Sequence, residues 1–230
     1  MSPSVIVFDV NDTLSDLSRL GARFVEVGAS ASAAPLWFAS ALRDGFALTT
    51  AGENPAFADI ARELLVAQLS EAHLNRPVQE AAAHIMHGFS RLELHPDVSH
   101  GLDQLHEAGY RLVTLSNGAT SVAEQLLTGA GVRDRFERLM SVADAGAWKP
   151  AALAYQYAAK TCEVDPAEML MVAVHPWDID GARRVGLRTA WVNRAGGAYP
   201  AMFLEPDHTV TGIEELVDLL AERPVGGPAV

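Results

Sequence analysis

The 230-residue chain is long enough to bury a full hydrophobic core, and its 29 acidic against 17 basic side chains give a formal net charge of −12. No cluster of Lys and Arg interrupts that acidic balance, so we expect no nucleic-acid partner. The single cysteine, Cys162, excludes an intrachain disulfide framework, and no apolar stretch approaches the about 20 residues that span a bilayer, so we expect a cytoplasmic protein without a membrane partner.

Strand-like segments alternate with amphipathic helical segments along most of the chain. The strand-like segments are residues 5–8, 111–115, 139–142, 170–174 and 189–192, and the helical ones between them are 98–107, 121–129, 151–161 and 179–185. Nearly continuous apolar strands that alternate with helices are typical of a parallel sheet covered on both faces. The pattern predicts an α/β fold with a doubly wound parallel sheet.

Residues 15–94 follow a different pattern. Their apolar positions recur at helical spacing and do not alternate as they would in strands. We therefore predict a helical cap, residues 15–94, inserted into an α/β core made of residues 1–14 and 95–222. Residues 223–230 are predicted to be a flexible C-terminal tail.

Polar side chains follow the strands of the predicted sheet. Asp9 ends the first apolar run, Ser116 and Asn117 follow the second, and residues 175–178 follow a later one. Ligands of an open parallel sheet bind beyond the carboxyl ends of its strands, where the strand order reverses. We expect these side chains to meet there.

Each of these residues has two interpretations when it is taken alone. Asp9 is typical of a turn, but an Asp held rigidly and away from water is also a covalent nucleophile that forms an ester. Lys149 is typical of a solvated surface residue, and Asp178 of a carboxylate favoured near a helix N-terminus. Ser116 and Asn117 offer donors to an anion, and Lys149 offers the cation that two carboxylates require, so together they favour a catalytic Asp9.

Four ordered motifs carry a family resemblance. They are VIVFDVNDTLSDL, LVTLSNGA, LMSVADAGAWKPAALAY and MLMVAVHPWDIDGARRVGLRTAWVNR, with the helical insertion directly after the first. In this order they resemble the haloacid dehalogenase superfamily, and their spacing is most similar to its L-2-haloacid dehalogenase branch. The resemblance covers residues 4–221. It implies a Rossmann-like core, hydrolysis of carbon–halide bonds in small 2-halo carboxylic acids, no cofactor, and a homodimer.

The resemblance also implies a mechanism. Asp9 attacks the halogen-bearing carbon with inversion, and water then hydrolyses the ester to release a 2-hydroxy acid. Around Asp9 it implies groups that orient the nucleophile, contact the substrate or halide, or support the hydrolytic water: Asn11, Thr13, Ser116, Asn117, Lys149, Tyr155, Trp177 and Asp178.

Phosphatases of the same superfamily provide the alternative. They carry a second Asp two residues after the nucleophile, which protonates the leaving group, and here that position is Asn11. They also bind Mg²⁺ through acidic residues of the last motif, and at the earlier of those positions this chain has Val174, so that only Asp178 remains. In the phosphatase alternative the Mg²⁺ ligands are Asp9, Asn11 and Asp178. Asp12, where the family pattern usually has Gly, can supply an acid from a shifted position.

Two departures from the branch leave the substrate open. An Arg on the first long cap helix contacts substrate in the family, and by counting along the sequence the matching residue here is Leu48, with Arg43 an imperfect substitute. His175 stands where the branch commonly has Asn, and can act as a donor, as a general base, or as a backbone hydrogen-bonding residue. These departures keep a third alternative open, a non-catalytic member that binds a ligand.

Overall fold

The computed structural model describes residues 3–221. Within that part of the chain, six strands form one parallel sheet in the order β3-β2-β1-β4-β5-β6. The strands are β1 (Val5–Phe8), β2 (Arg111–Ser116), β3 (Phe136–Ser141), β4 (Met169–Ala173), β5 (Arg188–Val192) and β6 (His208–Val210). The chain builds outward from β1 in one direction and then returns to place β4 on the other side of β1. The prediction of a doubly wound α/β fold is confirmed.

Helices cover both faces of this sheet. They are α1 (Leu20–Glu26), α2 (Ala33–Thr50), α3 (Phe57–Leu69), α4 (Val78–Phe89), α5 (Val98–Glu107), α6 (Thr120–Gly129), α7 (Val142–Ala145), α8 (Ala152–Cys162), α9 (Pro176–Val185) and α10 (Glu215–Ala221). None of the helices in residues 3–221 combines the length and apolarity needed to cross a membrane.

The apolar run of β1 is explained by burial on two sides. Val5 and Val7 pack into one hydrophobic cluster with α1–α4, α8 and α9, whereas Ile6 and Phe8 pack into a second cluster with α5, α6 and α10. Successive side chains of a strand point to opposite faces, so a strand covered on both faces needs apolar residues at every position. β1 is therefore the central strand, and it ends where the strand order reverses.

Helices α1–α4 lie between β1 and α5 and pack onto one side of the core. The segment that leaves the core and the segment that returns to it lie next to each other. The Asp16 N–H donates to the Glu93 carbonyl (2.8 Å), and the His95 N–H donates to the Leu14 carbonyl (2.9 Å). These contacts support a boundary near residues 15 and 94. The division into core and cap stays a proposal, and the predicted tail, residues 223–230, lies outside the described residues.

Candidate active site

Asp9 directly follows the last residue of β1, at the point where the strand order reverses. Its backbone N–H donates to the Val172 carbonyl of β4 (3.1 Å), which fixes the main chain between the two central strands. Only 4% of the residue is exposed. The sheet thus delivers one carboxylate, held by its backbone, to the position at which parallel sheets bind ligands.

Lys149 binds Asp9 and a second carboxylate. Its Nζ lies 2.9 Å from Asp9 Oδ1 and 2.6 Å from Asp178 Oδ2, and the lysine is 0% exposed. Burial by itself raises the pKa of Asp9, but the charge of Lys149, with His175 and the Thr13 hydroxyl, outweighs burial and brings that pKa below its ordinary value. Burial lowers the pKa of Lys149, and the two carboxylates more than offset it, so that this pKa is raised. Asp9 is therefore held ionised.

Asp178 is the more basic of the two carboxylates. Burial, together with the charge of Asp9, raises its pKa, and the contact with Lys149 only partly compensates. Both of its oxygens have donors, because Lys149 contacts Oδ2 and the Tyr155 hydroxyl donates to Oδ1 at 2.7 Å. Asp178 thus contacts the ammonium group directly and Tyr155 holds Asp178, while their supporting role in catalysis stays a prediction.

Thr13 fixes the rotation of the Asp9 carboxylate. Its hydroxyl donates to Asp9 Oδ2 at 2.7 Å and accepts the Val174 N–H at 3.1 Å. With Lys149 on Oδ1 and Thr13 on Oδ2, each oxygen of the nucleophile has a donor. The carboxylate is oriented before any substrate arrives.

Asn117 contacts the main chain of Lys149. Its Oδ1 accepts the Lys149 N–H at 2.9 Å and its Nδ2 donates to the Lys149 carbonyl at 3.3 Å. Ser116 Oγ accepts the Gly118 N–H at 2.9 Å, which shapes the turn before α6. The structure brings both residues to the site, but as supports of Lys149 and of this turn. A direct contact of Asn117 with halide stays a prediction.

His175 lies beside the nucleophile and stacks on Trp177. Its Nε2 is 3.2 Å from the Asn11 carbonyl oxygen and 3.8 Å from Asp9 Oδ2. Both of these oxygens are acceptors, so Nε2 carries a proton and acts as a donor. The ring stacks on Trp177 with centroids 5.0 Å apart and planes at 14°. Of the roles considered from the sequence, the donor role fits this nitrogen.

Neither Arg43 nor Leu48 reaches this cluster. The Arg43 side chain is 68% exposed and pairs with Asp44, and Leu48 is also exposed. The ring of Phe38, another α2 residue, does face the cluster, with its centroid 6.2 Å from that of His175. The placement does not support the predicted substrate contact of Arg43. Counting along the sequence selected Leu48, but the direction in which α2 crosses the core brings Phe38 there.

Two cavities adjoin the cluster. The larger, about 540 Å³, lies against α1 and α2 and is lined by Asp12, His175 and mainly apolar residues that include Phe38. The smaller, about 280 Å³, is lined by Asn11, Asn117 and the turn before α6, with apolar side chains from α3 and α4. Among the described residues that line the two cavities, none is Lys or Arg. An anionic substrate group therefore finds no cationic Lys or Arg side chain in the lining of either cavity, and the larger one also carries the Asp12 carboxylate.

The predicted alternative ligand set does not fit Mg²⁺. Asp9 and Asp178 both bind the Lys149 ammonium group, and the Asn11 carbonyl accepts from His175. Within residues 3–221 no group of three or more His, Cys, Asp or Glu side chains is arranged to hold a metal ion. A hard cation seeks several oxygen ligands at once, and here the candidate oxygens already have protein donors.

Comparison with known proteins assigns the family. The family model of haloacid dehalogenase-like hydrolases matches residues 3–186. The chain belongs to this family.

Relatives of this haloacid dehalogenase-like hydrolase agree with the predicted branch. Haloacetate dehalogenase H-2 of Moraxella sp. (strain B) is 35% identical over 141 residues, 61% of this chain and 63% of that protein. (S)-2-haloacid dehalogenase 4A of Burkholderia cepacia is 30% identical over 219 residues, 94% of each chain. A solved dehalogenase structure with an intermediate complex has a TM-score of 0.89 at 29% identity, and the match covers 96% of this chain and 99% of that one. The L-2-haloacid dehalogenase branch is confirmed, whereas a homodimer and a cytoplasmic location stay predictions.

One residue that supports the site of this hydrolase was missed in the sequence. Gly181, inside α9, lies where an added Cβ would be 2.6 Å from both the Pro150 Cβ and the Tyr155 hydroxyl oxygen. Only a residue without a side chain allows α9 to approach the Lys149–Pro150 turn this closely. A Gly in the interior of an amphipathic helix was the available signal, since Gly is disfavoured there without a packing reason.

Proposed function

We propose that this hydrolase removes halide from small 2-halo carboxylic acids through an ester of Asp9, giving 2-hydroxy acids with inversion. The relatives support hydrolytic dehalogenation as the reaction, since their names are those of haloacetate and (S)-2-haloacid dehalogenases. The observation that carries the mechanism is the contact of Lys149 and Thr13 with opposite oxygens of a buried Asp9. A carboxylate held in this way stays ionised and oriented, as a nucleophile must be.

The first step is a displacement by Asp9. A carboxylate oxygen forms a bond to the α-carbon on the side opposite the halogen while the carbon–halogen bond breaks, so the configuration at that carbon inverts. The bonding electrons leave with the halide, a weakly basic anion that needs no proton. Asn11, whose amide is not an acid, is compatible with such a leaving group and unsuited to an alkoxide.

The second step is attack of water on the Asp9 Cγ. Negative charge then develops on the carbonyl oxygen of the ester. The Lys149 ammonium group and the His175 Nε2–H lie 2.9 Å and 3.8 Å from the two Asp9 oxygens, and stabilise that charge whichever oxygen carries the ester. Breaking the Cγ–O bond to the substrate releases the 2-hydroxy acid and regenerates Asp9.

Asn11 is the proposed contact of the substrate carboxylate. Only 8% of the residue is exposed, and it lines the smaller cavity. Its carboxamide has no hydrogen-bond partner among the described residues. Its Nδ2 lies 3.5 Å from where a Cβ on Gly118 would be, which places it beside the turn that opens α6. Backbone N–H groups at a helix N-terminus favour anions. The Asn11 amide and the backbone N–H groups before α6 thus bind the substrate carboxylate in place of a cation, since no Lys or Arg is among the described residues that line either cavity.

The Mg²⁺-dependent phosphatase and the non-catalytic alternatives have less support. The candidate Mg²⁺ ligands already have protein donors, and a ligand-binding protein has no need of an ionised, oriented carboxylate at the strand end. We therefore propose that no cofactor takes part in the reaction.

A single turnover in ¹⁸O-water, with enzyme in excess over 2-chloropropionate, tests the ester. Heavy oxygen is expected in Asp9, detected by mass spectrometry of the peptide that contains it, and not in the lactate formed in that turnover. Asp9→Asn is the control, which is expected to release no halide. Label in the product of the first turnover, or halide release by the variant, contradicts the ester mechanism.

A further inference from the structure

Asp12 has an unusual backbone conformation. Its φ is +68°, in the left-handed region that Gly adopts most readily and that other residues adopt rarely. The Asp12 N–H donates to Ser15 Oγ (3.3 Å) and its carbonyl accepts from His95 Nε2 (3.0 Å), so the conformation is held on both sides. Gly could make both of these backbone hydrogen bonds at the same φ. The presence of a carboxylate at this position therefore needs a separate explanation.

Asp12 lines the larger cavity together with His175. Among the described residues no donor makes a hydrogen bond to it. Burial raises the pKa of this carboxyl, and the other titratable groups that act on it are His175, His95, Asp9 and Arg194. An unpaired, partly buried carboxylate that lines a cavity and interacts electrostatically with a nucleophile three residues earlier has the properties of a general base.

Asp178, by contrast, is poorly placed to accept a proton from water. It is fully buried, lines neither cavity, and has Lys149 on one oxygen and Tyr155 on the other. His175 Nε2 is also unsuited, because it already carries a proton that points to acceptor oxygens. Asp12, by contrast, has two acceptor oxygens without a protein donor among the described residues and lines a cavity wide enough for water.

We propose that Asp12 is the general base for hydrolysis of the Asp9 ester, acting on a water molecule that enters from the cavity beside α1 and α2. This inference rests on the proposed function. As the water oxygen bonds to the Asp9 Cγ, one water proton passes to the Asp12 carboxylate. When the Cγ–O bond to the substrate breaks, that proton passes to the departing alkoxide oxygen, which becomes the hydroxyl of the product. The second water proton leaves Asp9 for solvent, and both carboxylates are restored.

Rapid-mixing kinetics with 2-chloropropionate test the proposal in Asp12→Asn and Asp12→Gly. Both replacements tolerate a positive φ, so the fold is expected to survive. We expect each variant to release one equivalent of halide per enzyme at close to the wild-type rate. Its subsequent turnover is expected to be slower than that of the wild type by at least about 100-fold, a loss typical of a missing general base. The ester is expected to accumulate and to be visible as a mass increase of the intact protein. Added formate, which fits the cavity, is expected to restore turnover in Asp12→Gly.

The outcomes separate this proposal from the proposed function. Wild-type-like turnover of both variants, or slow turnover without ester accumulation, overturns the role of Asp12 while the ester mechanism stands. Ester accumulation in Asp178→Asn but not in Asp12→Asn also overturns it, in favour of Asp178. Absence of any Asp9 ester in the wild type, with label from ¹⁸O-water directly in product, instead defeats the proposed function.

Discussion

Replacing Lys149 by Met removes the cation that joins two buried carboxylates. The Nζ lies 2.9 Å from Asp9 and 2.6 Å from Asp178, and the lysine is fully buried. Met is close to Lys in length and apolar, so the space stays filled while the charge is lost. The variant is left with two carboxylates inside the protein and no ammonium group between them.

Removing one partner of a buried ion pair costs about 3–5 kcal/mol, because the other charge stays buried without compensation. For a chain of this size each kcal/mol lowers the melting temperature by about 2–4 °C, so Lys149→Met is expected to melt roughly 6–20 °C below the wild type at neutral pH. Thermal denaturation followed by circular dichroism measures the difference. Lys160→Met, at an exposed position of α8, is the matched control and is expected to stay within about 0.5 kcal/mol of the wild type.

The pH dependence gives the sign of the effect. In the wild type the pKa of Asp9 is lowered, so its contribution to stability is present above the unfolded value of 3.8 and is lost as pH falls through the folded pKa. Without Lys149, burial raises the pKa of Asp9 above the unfolded value, and acid then relieves the penalty by protonating the carboxylate. The difference in melting temperature is therefore expected to narrow as the pH is lowered from neutral.

The same shift has a kinetic counterpart. Halide release in the first turnover needs ionised Asp9, so the acid limb of its pH profile is expected to move to higher pH in Lys149→Met. Two results refute the reasoning: equal melting temperatures for Lys149→Met and Lys160→Met, or a stability deficit that does not change between neutral and acid pH.

Three further perturbations test how the site is held. Gly181→Ala is expected to cost roughly 1–3 kcal/mol of stability and to slow halide release, because its Cβ would meet the Tyr155 hydroxyl at 2.6 Å. The control Gly129→Ala, whose Cβ would have nothing within 4 Å, is expected to be neutral or stabilising by roughly 0.5–1 kcal/mol. Equal effects of the two variants on thermal melting and kcat would rule out the close approach. Asn117→Ala removes two hydrogen bonds to the Lys149 backbone and is expected to lower kcat and to cost about 1–3 kcal/mol, so an unchanged kcat in a folded variant means that Asn117 does not position Lys149. A chelator is expected to leave the rate of halide release unchanged, and recovery of lost activity with Mg²⁺ contradicts a metal-free reaction.

The centre of the fold could be predicted because its signals are local. β1 is apolar at each position from Val5 to Phe8, and this is the pattern of a strand buried on both faces. The edges gave weaker signals. β3 begins at Phe136, whereas the prediction placed its start at residue 139, because the two residues after Phe136 are exposed and hid the strand pattern. β6 is a three-residue strand with a single buried side chain. Edge strands with exposed positions do not show the apolar run on which the prediction depended.

The site was predictable in its members and less so in their contacts. Ordered motifs indicated Asp9, Lys149 and Asp178, and a parallel sheet gathers the strand ends that carry Asp9 and the turn before Asp178 whatever lies between them. The bond between Asn117 and the Lys149 backbone joins residues 32 positions apart, and no local pattern encodes it. The rotation of α2 that presents Phe38 is likewise set by packing of the helix against the core.

Charge balance explains why a carboxylate outside the Lys149 cluster suits the second step. Before reaction Lys149 lies between two anions, and ester formation makes Asp9 neutral, so that Asp178 becomes the counter-ion of the lysine. The charge of Asp9 is one of the causes that raise the pKa of Asp178, and the ester removes it. Asp178 is thus a weaker base in the ester than in the free enzyme, at the stage when a base is required. Loss of the Asp9 charge lowers the pKa of Asp12 as well, but Asp12 does not contact Lys149 and its carboxylate has no protein donor among the described residues. A base on the cavity side lets Lys149 and Asp178 remain paired through both steps.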